Sequence, residues 1–210
     1  MINININNQN VEVQEGTRVL DLLPESEKTN YCVCKINRQI KELRFALTEK
    51  QNNAKIQFIG LDNIEGGKAY EASLRLVIAM ACHNLYPTLK IRFSYNVSRS
   101  IFCQILDKTV HLTKFCEDIK REVNRIISLN LPIERVTVTT QEAIDIYTKY
   151  GHTDKIAILK YRPDSNIHLH KIGDYYDYMH GYVVPSTGCL KNYIIRPYSP
   201  GLIIQYPRYE

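Results

Sequence analysis

The first thirteen residues constrain the fold more than any other stretch of the chain. Isoleucine alternates with asparagine from Ile2 to Ile6, the segment NNQN follows, and Val11 and Val13 resume the alternation. Successive side chains of a strand lie on opposite faces, so this alternation predicts two strands that each bury one face. Asparagine and glutamine between two such strands favour a tight turn. The chain is therefore predicted to begin with a β-hairpin.

The segments up to residue 60 predict a small mixed domain. RVLDLLP has the apolar spacing of a short helix, which Gly16-Thr17 would cap and Pro24 would end. YCVCKIN, KELRFAL and AKIQFIG are predicted strands. A hairpin, a helix and further strands in this order are typical of a ubiquitin-like β-grasp domain. We predict this domain at residues 1–60 and a polar, glycine-bearing linker at residues 61–67.

Residues 68–210 alternate between helical and strand patterns. AYEASLRLVIAMACHNLYP predicts a helix that a proline ends, and TKFCEDIKREVNRIISLNLP predicts a second helix capped by Thr113. TTQEAIDIYTKYG predicts a third helix, capped by Thr139 or Thr140 and ended by Gly151. LKIRFSYN, SIFCQIL, KIAILKYR, NIHLHKIG and NYIIRPYSPGLIIQYP are predicted strands. The predicted fold class is α+β in two domains.

Composition narrows the class of protein further. With 44% apolar and 23% charged residues and no long apolar run, the sequence predicts a globular protein that has no membrane partner. The N-terminus lacks the pattern of a secretion signal, so we expect a cytoplasmic location. A net charge of +5 permits contact with nucleic acid. Cys32 and Cys34 would share one strand face, but no second Cys/His pair accompanies them, and we predict no metal.

Several blocks of the sequence resemble the N-terminal region of threonyl-tRNA synthetase. LDLLP and CKINRQIKELRFAL are similar to its TGS domain, a β-grasp module. SLNLPIERVTVTTQEAIDIYTKYG and VPSTGCLKNY are similar to the adjoining domain, which edits mischarged tRNA. The blocks occur in the same order and span nearly the whole chain. The resemblance implies a β-grasp domain followed by an editing-like domain of helices on an antiparallel sheet.

The same resemblance implies four site positions, and the chain departs from the family at each. The family has two histidines four residues apart on the helix that ends in Leu-Tyr-Pro, and here those positions hold Ala72 and Leu76. It has Cys-x-x-x-His before Val-Pro, and here those positions hold Met179 and Val183. None of these four side chains can act as a general base. We therefore predict that this chain has no catalytic residues.

A second resemblance concerns the segment from Tyr161 to Tyr193. It is similar to a segment of uridine kinase-like nucleoside kinases, in which a TGS domain and a degenerate synthetase-like domain precede a P-loop kinase domain. This implies a non-catalytic accessory region whose partner is its own C-terminal kinase domain, and that domain would use ATP and magnesium. The 210 residues contain no P-loop motif, and we predict no cofactor for them.

Two other functions stay open. One is a free-standing tRNA-binding or trans-editing protein related to threonyl-tRNA synthetase, and the other is a structural dimerisation module. The predicted ligand is a nucleoside, a nucleotide or a tRNA-like molecule, and the oligomeric state is left open. The cleft beside the first long helix either binds such a ligand or is closed by Leu76 packing against Met179 and Val183.

Candidate ligand-binding residues lie mainly between residues 168 and 191. Two histidines share one face of a predicted strand, and a third is predicted to pair with Asp177 or to lie in a turn. The four tyrosines at positions 175, 176, 178 and 182 would stack on a base or pack in the core. The predicted ligand-binding residues are His168, His170, Asp177, His180, Ser186, Thr187 and Lys191.

Overall fold

Three β-sheets and four α-helices make up the part of the chain that a computed structural model describes, residues 1–97, 100–107, 109–161 and 165–207. The fold class is α+β, as predicted. In the first sheet, β1 and β2 form the predicted hairpin, and Asn7 and Asn8 in its turn have positive φ of 51° and 65°. The strands of this sheet are β1 (Ile2–Ile6), β2 (Gln9–Val13), β3 (Val33–Ile36), β4 (Gln39–Glu42) and β5 (Ala54–Ile59), in the order β2-β1-β5-β3-β4.

The helix predicted in RVLDLLP is a single 3-10 turn, Val19–Leu22. Its N-cap residue is Arg18 and not the predicted Gly16-Thr17. Val19 and Leu20 are buried in the core of the first sheet, so the turn serves mainly to cover one face of that sheet.

Helix α1 (Ile64–Leu85) begins within the residues predicted as a linker, so residues 64–67 are helical. The side chain of Asn63 caps it by accepting a hydrogen bond of 3.0 Å from the backbone N–H of Glu65. Gly66 lies against the backbone of Gly60, the residue that follows β5. A Cβ at position 66 would lie 1.8 Å from the carbonyl oxygen of Gly60. The first sheet and α1 are therefore in close contact at this point.

The second and third sheets are both antiparallel. The second has the order β10-β9-β8 and packs against α3 and α4, while the third has the order β11-β12-β7-β6. The strands of the second sheet are β8 (Glu134–Thr139), β9 (Asn166–Ile172) and β10 (Tyr175–Asp177). The strands of the third are β6 (Ile91–Val97), β7 (Ser100–Ile105), β11 (Ile194–Tyr198) and β12 (Gly201–Gln205).

Helix α2 (Leu112–Ser128) is capped by His111 and not by the predicted Thr113. Helix α3 (Thr140–Tyr150) has the predicted caps. At its start Thr139 and Glu142 form a capping box, and at its end Gly151 has a left-handed φ of 73°.

Helix α4 (Thr153–Lys160) contradicts the strand predicted for KIAILKYR. Residue 162 of that segment, and residues 163 and 164 of the segment that resembles the kinases, lie outside the described residues.

Three cores fill the described part of the structure, the smallest of them between the second sheet and helices α3 and α4. Another lies under the first sheet, and a larger one surrounds α1 and α2. Cys32 belongs to the larger core and Cys34 to the first-sheet core, so the two thiols are buried in different cores. None of the described helices is both long and apolar enough to cross a membrane.

Candidate functional site

The four positions at which the resemblance implies editing residues lie together in the structure. Leu76 and Val183 are fully buried in the larger core, and Ala72 and Met179 pack against it. The hydroxyl of Ser73, next to Ala72, accepts a hydrogen bond of 2.8 Å from the N–H of Val184. This bond fixes α1 against the segment after β10. The structure thus brings together side chains from two distant segments, and all four are apolar.

A groove stays open beside these positions. We call it the helix groove. It has a volume of about 560 Å³ and lies between α1, Phe93 on β6 and the loop of residues 178–182. Ala72 and Met179 line it, so the packing of Leu76 and Val183 in the core does not close the cleft. The polar side chains that line it on α1 pair with one another, as Glu71 does with Arg75 and Lys68 with Glu65. The groove therefore has apolar walls and a polar, largely paired margin.

Asp177 is the centre of a hydrogen-bond network beside the helix groove. It is 3% exposed, and its carboxylate accepts hydrogen bonds from Lys155 Nζ at 2.5 Å and from the N–H of Tyr178 at 2.8 Å. The hydroxyls of Tyr147 and Tyr175 also donate to it, at 3.2 and 3.1 Å. The expected pair of Asp177 with His180 is not formed, because donors from α3, α4 and β10 surround the carboxylate. His180 is exposed at the edge of the helix groove instead.

Two histidines lie close to this network. His83 on α1 has its ring centroid 4.3 Å from that of Tyr150 and 5.4 Å from that of Tyr175. His152 contacts the ring of Tyr150 edge-on at 6.0 Å. Burial lowers the pKa of both histidines below the ordinary value of 6.5, although the charge of Asp177 opposes that change. Both rings are therefore favoured in the neutral form, in which one nitrogen can accept a proton.

Burial also affects the tyrosines of this network. It raises the pKa of Tyr147 and of Tyr175 far above the ordinary value of 10, and the adjacent charge of Asp177 acts in the same direction. These hydroxyls stay protonated and donate to Asp177. A cavity of about 250 Å³ between α1, β6 and α4 reaches this network. The arrangement holds a carboxylate inside the protein among donor groups and places two imidazoles, both favoured in the neutral form, close to it.

Two of the predicted histidines lie in a different place, on β9. The ring nitrogen Nε2 of the buried His170 is 2.9 Å from Oε1 of Glu42 on β4, and its Nδ1 has no partner among the described residues. The exposed His168 has its Nδ1 3.1 Å from the hydroxyl of Thr137. His168 lines both parts of a two-part groove at the junction of the first and second sheets, which we call the junction groove, and His170 lines one part. His180 lines both grooves.

The remaining three predicted residues do not reach either groove, which corrects the expected polar edge. Ser186 is buried and donates a hydrogen bond of 2.6 Å to Asn130. The hydroxyl of Thr187 donates at 2.8 Å to the carbonyl oxygen of Ile126, near the end of α2. Lys191 contacts the hydroxyl of Thr29 at 3.0 Å. Each of these three side chains links two segments that are distant in the sequence.

The tyrosines divide between the core and the surface. Tyr175 is buried and Tyr176 packs against the core of the second sheet, while Tyr178 and Tyr182 line both grooves. Sequence reasoning missed Lys155 and His152, because Lys155 lies in a segment predicted as a strand and His152 lies just before that segment. No cluster of three or more metal-binding side chains occurs in the described part of the chain.

Comparison with known proteins finds similarity to threonine–tRNA ligases. No family model matches it. It is 28% identical over 196 residues to a threonine–tRNA ligase of Clostridium tetani, which covers 91% of this chain and 30% of that protein. It is 27% identical over 197 residues to the threonine–tRNA ligase of Desulforamulus reducens, with 91% and 31% covered. For the ligase of Lawsonia intracellularis the identity is 26% over 188 residues, with 89% and 29% covered.

The chain thus spans about 30% of the length of the curated relatives it matches, and the match is to their N-terminal regions. This similarity agrees with a β-grasp domain followed by an editing-like domain.

Proposed function

We propose that the chain is a tRNA-binding region, related to threonyl-tRNA synthetase, that recognises tRNA without hydrolysing an aminoacyl ester. The observation that carries this proposal is similarity to threonine–tRNA ligases along nine-tenths of the chain, combined with apolar residues at all four implied editing positions. These relatives favour the synthetase-related alternative over the accessory region of a uridine kinase-like nucleoside kinase. A kinase domain with ATP and magnesium has no support among them, and we place that function second.

The expected absence of hydrolysis rests on the side chains at the four implied editing positions. Hydrolysis of an ester needs a group that accepts a proton from water at the reacting carbon. Ala72, Leu76, Met179 and Val183 offer no such group at the implied positions. Asp177 is close in sequence, but its carboxylate is held by hydrogen bonds from four donors. Since the implied positions supply no such group, we expect a bound ester to be positioned and not cleaved.

Binding is supported by the shape and lining of the same groove. Its volume of about 560 Å³ lies in the range of small-molecule sites, and a terminal nucleotide is of that size. Phe93 and Tyr182 present aromatic surface, and Ala72 leaves space where the family has an imidazole. Lys68 and His180 lie at the margin, where the phosphates of a nucleic-acid strand would pass. The groove thus combines surfaces for a base and for the backbone that carries it.

The test measures tRNA binding and ester hydrolysis separately with the purified chain. We expect tRNA to bind with an affinity that falls as salt rises, because backbone phosphates dominate such contacts. We expect seryl-tRNA to lose its amino acid at the rate seen without protein. Failure to bind tRNA at low salt would reject the proposal. Accelerated release of serine would reject its non-hydrolytic part.

A matched pair of variants locates the binding. Lys68→Glu reverses a charge at the helix groove, and Lys114→Glu reverses one in the first turn of α2. Both lysines are exposed, so both variants should fold. Lys68→Glu should weaken tRNA binding by about fivefold through the lost phosphate attraction. Lys114→Glu should change it much less, and equal effects would show that the helix groove is not the contact site.

A further inference from the structure

The junction groove has a geometry that the proposed function does not use. Part of it lies between two edge strands, β4 of the first sheet and β8 of the second. Its two sections have volumes of about 490 and about 640 Å³, and both contain Arg135, His168 and Tyr182. The section of about 490 Å³ reaches β4 and the residues after it, and the other reaches the loop of residues 178–182. Each section has the size of a site for one small ligand.

The groove has more cationic than anionic side chains. Its positive charges come from both sheets, two of them from β4 or the residues just after it. One carboxylate, that of Glu42, is already bound to His170 at 2.9 Å, which leaves Glu134 as the other acid in the lining. The lining cations are Arg18, Lys41, Arg44 and Arg135.

These cations are incompletely neutralised by the protein. Arg44 is half-buried, and its Nε donates a hydrogen bond of 2.7 Å to the carbonyl oxygen of Pro185. Burial and then the nearby charge of Arg18 lower the pKa of Arg44, while Glu134 opposes this. Arg135 forms no ion pair within the described residues. An anion between these guanidinium groups would reduce their repulsion and fill their unused donors.

Aromatic rings stand next to the cations. Phe45 lies with its ring centroid 5.4 Å from Nζ of Lys41, and Tyr182 lies where the two sections join. Tyr178 lines the section of about 640 Å³. Positive side chains interleaved with aromatic faces suit phosphates linked to a flat base.

We propose that the junction groove binds a nucleotide, with its phosphates on Arg44 and Arg135 and its base against Tyr182. The nucleotide is either free or part of a single strand, since both present the same phosphate and base. This site shares Tyr182 with the helix groove, but Arg44 and Arg135 do not line that groove, so the site does not require the proposed function. His170 contributes indirectly, because it provides a partner for the carboxylate of Glu42 in the groove.

The experiment measures binding by calorimetry with three probes: uridine triphosphate, a single-stranded oligouridine and inorganic tripolyphosphate. The site variant is Arg135→Gln, and the matched control is Arg196→Gln, an exposed arginine on β11 outside the groove. Each variant is first compared with the original chain by its melting temperature. We expect Arg135→Gln to weaken nucleotide binding by about tenfold and Arg196→Gln by less than about twofold, because a charge-assisted hydrogen bond is lost only in the first.

The probes identify the source of the nucleotide. Tight binding of uridine triphosphate supports a free nucleotide, and binding of the oligouridine alone supports a strand. The proposal is overturned if neither binds, if both variants behave alike, or if tripolyphosphate binds as well as uridine triphosphate. The proposed function stands or falls separately, since it depends on intact tRNA and on Lys68.

Discussion

Asp177 and His170 lie opposite each other on β10 and β9, and they show two ways to bury a polar side chain. They are 3% and 2% exposed. Asp177 accepts four hydrogen bonds, all from the second half of the chain. His170 has one side-chain partner, Glu42, which belongs to the first sheet, and its Nδ1 has none among the described residues. The first residue is satisfied within its own core, whereas the second depends on how the two sheets meet.

The largest loss of stability is expected for Asp177→Asn. The change leaves Lys155 without its counter-ion and replaces an acceptor of four bonds by an amide. Loss of one partner of a buried pair costs about 3 to 5 kcal/mol, and we expect about 3 because the Lys155 side chain is 31% exposed and can be hydrated. The free energy of unfolding in urea measures it. Asp174→Asn, on the exposed turn nearby, is the control, and a loss below about 1 kcal/mol at Asp177 would contradict the network.

A smaller effect is expected for Glu42→Gln at the junction. The amide oxygen can still accept a hydrogen bond from Nε2 of His170, so only the charge of the acceptor is lost. We expect a loss of about 1 kcal/mol in the free energy of unfolding, the difference between a charged and a neutral hydrogen bond. Glu12→Gln on the exposed face of β2 is the control. If Glu42→Gln destabilises as much as Asp177→Asn, the distinction between the two sites is wrong.

The smallest expected effect is the pH dependence that His83 and His152 give to the stability of the protein. The folded-state pKa of both lies below the ordinary 6.5, so the unfolded chain binds protons more readily. Their contribution to stability is complete above pH 6.5 and is lost as pH falls through the folded pKa. In Asp177→Asn the loss should extend to lower pH, because the carboxylate that raises both values is gone. Urea midpoints between about pH 7.5 and about pH 5 measure it, with His152→Asn expected to flatten the curve.

Local chemistry made α3 predictable from sequence. Thr139, Glu142 and Gly151 each form their cap through neighbours a few residues away, so the sequence contains the whole interaction. Helix α4 was wrongly predicted as a strand, because Ile156 and Ile158 alternate with other residues as in a strand. In the structure Ile158 is exposed and Leu159 is buried, and packing against α3 decides the conformation.

The site residues were likewise predictable from local patterns only where their contacts lie close in the sequence. A Pro-Ser-Thr-Gly segment predicts a turn, but the direction of its hydroxyls depends on the end of α2, about sixty residues earlier. The resemblance to an editing domain correctly brought Ala72 and Met179 together in one groove. The junction groove could not be predicted, because Arg44 and Arg135 come from two sheets whose contact no local pattern describes.

Gly66 fixes how the two halves of the chain can respond to mutation. A methyl group there would meet the carbonyl oxygen of Gly60 at 1.8 Å, so the start of α1 and the backbone at Gly60 would have to move apart. One turn later, the same helix carries Ala69 and Ala72 along the helix groove. The width of that groove is therefore set partly by a glycine that does not line it. A substitution at Gly66 would therefore change the width of the helix groove from a distance, without altering any side chain in the groove.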